Sequence, residues 1–114
     1  VGAKATSFGV EGFARLFEGE GAIFTTLKRG KRSPQLRLQM ASVDADVIEA
    51  VHAEFGGSVC SFQRKDRPRN RVIHQWVLQG VPAAELAEAM LPWLFRRRSA
   101  QVEEALEEWR AHRE

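Results

Sequence analysis

Cysteine is almost absent: the one residue, Cys60, excludes an internal disulfide and any zinc cage built from cysteines. This scarcity fits a reducing compartment, so the expectation is an intracellular protein, not a secreted one. No run approaches the roughly 18 apolar residues a membrane span requires. Residues 1–8 lack a charged head followed by an apolar stretch, so no signal peptide is visible. No phosphate-loop glycine pattern and no hydrolase Ser/His/Asp order is present. His52 and His74 show no ligand spacing, and His112 falls in a terminal segment, so histidine suggests no metal site. What is there is a chain of 114 residues, 44% hydrophobic and 28% charged. That length and composition suit one domain, residues 1–114, with one core and no long-range disorder.

Acid is missing where base is dense. The formal net charge is only +2, but Arg outnumbers Lys 13 to 4. Five basic residues and no acid lie between Lys28 and Arg37, and five more with only Asp66 between Arg64 and Arg71. Arg96, Arg97 and Arg98 form a third cluster. Arginine suits bidentate contact with phosphate and guanine, so the asymmetry points to an anionic partner such as nucleic acid. Ordinary solvated loops can carry the same pattern.

Hydrophobic periodicity predicts the elements in the order α-β-β-α-β-β-α-α. A first helix spans Ser7 to Gly19, with Val10, Phe13, Leu16 and Phe17 inward and Thr6 or Ser7 as N-cap. A strand over Ala22–Arg29 follows. Gln35–Ala41 alternates strictly, with Leu36, Leu38 and Met40 on one face. Ser42, Val43 and Asp44 precede a helix over Ala45–Phe55 with Val47, Ile48, Val51 and Phe55 inward. Ser58–Arg64 reads as a strand with Cys60 and Phe62 inward and Ser61 and Gln63 outward. Val72–Gln79 is another, with Trp76 and Leu78 inward. A helix from Pro82 through Leu86, Met90 and Leu94 bends or ends at Pro92. A last helix begins near Ser99, with Val102, Ala105, Leu106 and Trp109 inward. Trp76, Trp93 and Trp109 are expected in the core or a dimer seam.

Four strands with short connections imply an α+β fold, an antiparallel sheet with helices on one face. The other face would carry Thr26, Lys28, Gln35, Arg37, Gln39, Ser61, Gln63 and Gln75, with Arg32 in the basic turn beside it. Gln reads adenine edges, Arg and Lys read guanine, and flanking positive charge holds phosphates. A solvated sheet face is the plain alternative.

The segment Phe13-Ala-Arg-Leu-Phe-Glu-Gly-Glu-Gly21 resembles the signature of the LAGLIDADG homing endonucleases. The likeness continues through Gln35-Leu-Arg-Leu-Gln39, Val43-Asp44, Val47-Ile-Glu-Ala50, Phe55-Gly-Gly-Ser-Val59, Trp76-Val-Leu-Gln-Gly80 and Leu91-Pro-Trp-Leu94 with the arginine run, covering about Phe8 to Trp109. One motif resembles the single-motif members, which act as homodimers. The resemblance implies a four-stranded antiparallel saddle sheet and site-specific hydrolysis of double-stranded DNA at a pseudo-palindromic site, with intron or intein mobility as the setting. It implies that two motif helices pack together through Gly12, Arg15, Leu16 and Gly19. Glu20, with the Gly19 carbonyl, would bind Mg²⁺ or another divalent cation such as Mn²⁺, and Glu18 would be structural.

The sequence departs from the family pattern at three places. Arg15 stands at the motif's first glycine and needs to reach outward or find an acid, Glu11 or Glu18. Ser42 stands where the family often has Asn or Gln. The basic residue of the site, usually Lys, would be Arg97 if Pro92 anchors the comparison and Arg98 if Gln101 does. Arginine neutralises phosphate but donates no proton at neutral pH. The alternative is therefore a non-catalytic DNA-binding regulator or RNA maturase on the same fold.

Overall fold

The computed structural model describes residues 8–26, 35–63 and 72–112. Among these residues the elements are α1 (Gly9–Glu20), β1 (Gly21–Thr26), β2 (Gln35–Ser42), α2 (Ala45–Phe55), β3 (Ser58–Phe62), β4 (Ile73–Gln79), α3 (Val81–Met90), a 3₁₀ turn (Leu91–Trp93) and α4 (Arg96–Ala111). The predicted N-caps Thr6 and Ser7, and the expected end of the first strand through Arg29, lie outside the described residues.

The strands form one antiparallel sheet in the order β1-β2-β4-β3. Alternation in β2 sends Leu36, Leu38 and Met40 to the helix-covered face. The register sets Met40 opposite Trp76 and Leu38 opposite Leu78 on that face. Helices α1, α2, α3 and α4 all pack there. Their buried stripes include Phe13 and Phe17, Ile48 and Val51, Leu86 and Met90, and Val102 and Leu106. Among the described residues no polar or charged side chain is buried.

Capping of α1 is long-range. The Glu54 carboxylate accepts from the backbone N–H of Phe8 at 2.6 Å and of Gly9 at 2.8 Å. One anion in α2 thus satisfies two open donors at the positive end of α1. Trp76 Nε1 donates to the Gly56 carbonyl at 2.6 Å, tying β4 to the end of α2. Gly57 makes that turn possible: its φ is +90°, and a Cβ would lie 2.4 Å from the Val77 carbonyl oxygen.

Three expectations need correction. Cys60 and Phe62 face away from the helices, because Cys60 pairs with Gln75 and Phe62 with Ile73, while Val59 pairs with the buried Trp76. β3 is an exposed edge strand, so no core face constrained its alternation when read from sequence. Of the two places expected for Trp93, the structure removes the core: it is 48% exposed at the end of the 3₁₀ turn, where Pro92 has stopped α3. Helix α4 starts at Arg96, three residues earlier than expected, since Ser99 N–H already bonds to the Phe95 carbonyl at 2.8 Å.

Candidate nucleic-acid interface

The uncovered face of the sheet carries Thr26, Gln35, Arg37, Gln39 and Gln75, as alternation predicts. Ser61 is not among them. It shares the helix side with His74, and its hydroxyl lies 2.8 Å from His74 Nδ1. Gln63 stands one residue beyond the end of β3. Lys28 and Arg32 fall outside the described residues. Arg37 is the best-organised member of the face. Its guanidinium lies 5.7 Å from the centre of the Phe24 ring, and its Nε donates to Gln39 Oε1 at 3.2 Å. A fork held this way loses less entropy when it meets a base edge or phosphate. Gln79 and Cys60, which the sequence reading left off this face, join it by register.

At one end of the sheet, α1 runs into β1 without a loop, and Glu20 is the last helical residue. Its carboxylate is exposed, with no hydrogen bond or ion pair among the described residues. Glu18, two residues earlier, is structural: its carboxylate accepts from Phe95 N–H at 2.5 Å. Arg98 Nε donates to the Glu18 carbonyl at 3.3 Å, and its guanidinium lies 5.0 Å from the Phe17 ring centre. Arg98 sits at the unfavourable positive end of its own helix, but at the favourable negative end of α1. Its Nη1 also donates to Gln101 at 2.9 Å. The two alternatives thus separate: Arg98 is seated at the end of α1, and Arg97 is exposed. Ser42 ends β2 two residues past Met40, the partner of Gly21, so it stands at the same end of the sheet as Glu20. Its hydroxyl accepts from Asp44 N–H at 3.0 Å.

The face of α1 turned from the core presents Glu11, Arg15 and Gly19. Arg15 finds Glu11 at 2.5 Å and remains 73% exposed. Leu16 is half-buried against the core. A Cβ at Gly19 would meet nothing within 4 Å, so this chain's own packing does not demand glycine there. Gly12 and Gly21 differ. A Cβ at Gly12 would come 3.1 Å from Phe8 Cβ, and one at Gly21 would overlap the Phe17 ring at 2.1 Å. Beside this face stand Trp93, 48% exposed, and Phe95, 78% exposed. Phe95 is not marked by the sequence pattern, because it lies in a bend between helices where no period applies.

At the end of α1 one chain therefore offers the Glu20 carboxylate, which has no partner among the described residues. No group of three or more His, Cys, Asp or Glu suited to a metal ion occurs among the described residues. That donor set does not fit zinc, which takes three or four protein ligands. It fits Mg²⁺, which binds through one or two carboxylates and fills its octahedron with water and phosphate oxygen. No described helix is long and apolar enough to cross a membrane.

No family model matches the chain, and no curated protein matches it in sequence. Solved structures do match. One is the homing endonuclease I-CvuI in complex with its target in the presence of 2 mM Ca, with a TM-score of 0.66 and 16% identity over 94% of this chain and 68% of that one. Another is I-CvuI in complex with the I-CreI target in 2 mM Mg, with the DNA not cleaved, at a TM-score of 0.63 and 15% identity over 86% of this chain and 63% of that one. At such identity the likeness is one of fold, and this chain has the fold of these homing endonuclease structures.

Proposed function

We propose that the chain is a sequence-specific double-stranded DNA endonuclease that works as a homodimer on a pseudo-palindromic site. The observation that carries this reading is the Glu20 carboxylate at the end of α1, exposed and without a partner among the described residues, beside the seated Arg98, on a fold shared with DNA-bound endonuclease structures. Gln35, Arg37, Gln39 and Gln75 read base edges, with Thr26 at the margin of the same face. Lys28 and Arg32 belong to the basic stretch that holds phosphates. Glu20, with the Gly19 carbonyl, would hold a divalent cation, which would supply charge stabilisation at the scissile phosphate and a more acidic water. Arg98 neutralises phosphate, and Ser42 lies toward the same end. Residues 1–114 act together as one domain.

The dimer seam of this reading is α1 against α1. Gly19 permits close approach, and Glu11 and Arg15, opposite in sign and one helical turn apart, exchange partners across a twofold axis. Phe95 and Trp93 flank the seam as apolar anchors of the kind that dominate interfaces. Replacing Phe95 with Asp is expected to weaken dimerisation by about 10-fold or more. Light scattering across micromolar concentrations checks this, and an unchanged mass profile would remove Phe95 from the seam.

A second reading has its own observation. Arg98 already donates through Nε to α1 and through Nη1 to Gln101, and arginine supplies no proton. That arrangement suits a binding module without cleavage, a regulator or an RNA maturase. One selection separates the two: randomised duplex DNA offered with Mg²⁺ and again with Ca²⁺. Cutting in Mg²⁺ with binding alone in Ca²⁺ is the expected result. Enrichment without cutting in either ion supports the binding module.

A further inference from the structure

The uncovered sheet face is chemically divided. Toward the β1–β2 side it presents Thr26, Gln35, Arg37 and Gln39, groups that donate and accept hydrogen bonds. At the opposite corner the register aligns Phe62 with Ile73, Cys60 with Gln75 and Ser58 with Val77. That corner is mainly apolar, yet Cys60 is exposed and Phe62 is 44% exposed. Its outer half, Cys60 and Phe62, lies on the edge strand β3, where bare apolar side chains invite aggregation unless a partner covers them. The connection that follows β3 carries the five basic residues between Arg64 and Arg71. That density of positive charge in the sequence and the Arg37 fork on the same face favour a polyanion as the occupant. A two-stranded β-ribbon fits the major groove of duplex DNA. The group there that an apolar side chain recognises is the C5-methyl of thymine.

We propose that Cys60, Phe62, Ile73 and Val77 form a thymine-reading corner, which discriminates by contact with the C5-methyl group while β2 discriminates by hydrogen bonds. The proposal rests on the DNA-binding reading above. It expects thymine to be enriched at the positions of each half-site that lie against β3 and β4.

The test replaces thymine with uracil in an enriched duplex, one position at a time. Uracil keeps every hydrogen-bonding group of thymine and loses only the methyl. Affinity in Ca²⁺ should fall about fourfold for each methyl contacted, the factor that burial of one such group carries. The C60S/F62S double variant, altered at two exposed positions, should bind thymine and uracil duplexes alike while keeping the native circular dichroism spectrum. Equal affinity of the unaltered protein for both duplexes, at every enriched position, would overturn the proposal and leave DNA binding intact. Failure to enrich any duplex would overturn the DNA-binding reading and this corner with it.

Discussion

Glu20→Gln is expected to lower metal-dependent DNA cutting by about 100-fold or more while leaving binding in Ca²⁺ within a few-fold of the original. Even partners behind a metal's direct ligands change affinity or activity by about 10- to 100-fold, so a direct carboxylate ligand should do at least as much. Glutamine preserves volume and polarity, and the Glu20 side chain is exposed with no partner among the described residues, so stability should hold. The contrast with Glu18 makes the result informative. Glu18→Gln weakens the bond to Phe95 N–H and should loosen the turn before α4 rather than abolish chemistry. A cleavage time course with both variants, beside a binding titration, measures the difference. Undiminished cutting by the Glu20 variant would remove this residue from the reaction.

Phe13→Ala is expected to destabilise the fold by about 3–5 kcal/mol, a large share of the whole stability of a small domain. Phe13 is completely buried, and its ring centre lies 5.0 Å from that of Phe55, 5.5 Å from Trp76 and 6.3 Å from Phe17. The first two contacts are edge-to-face, an arrangement favourable beyond the area buried. They join α1 to α2 and β4, so the cavity would open at the point where the motif helix is anchored. Urea unfolding followed by tryptophan fluorescence should show the midpoint lowered by more than about 1 M. A loss below about 1 kcal/mol would mean that α1 is held chiefly by its capping and its contact with α3.

The sequence by itself determined the order of elements, the inward stripes of α2 and α4, and the faces of β2 and β4. In each, one side is deeply buried, so hydrophobic periodicity had a strong physical cause. Ala45–Phe55 as a helix and the inward Leu36, Leu38 and Met40 follow from that periodicity directly. Gly19 and Gly21 likewise marked the helix end where Glu20 stands. The tertiary structure alone decided matters that involve distant partners or weak burial. Glu54 caps α1 from 46 residues away, which no local N-cap pattern encodes. Arg98, not Arg97, meets the end of α1, because the turn after Pro92 sets where α4 begins. Cys60 and Phe62 turn outward because β3 takes its facing from hydrogen bonds to β4, and an edge strand exposed along its length has no buried face of its own to record in sequence.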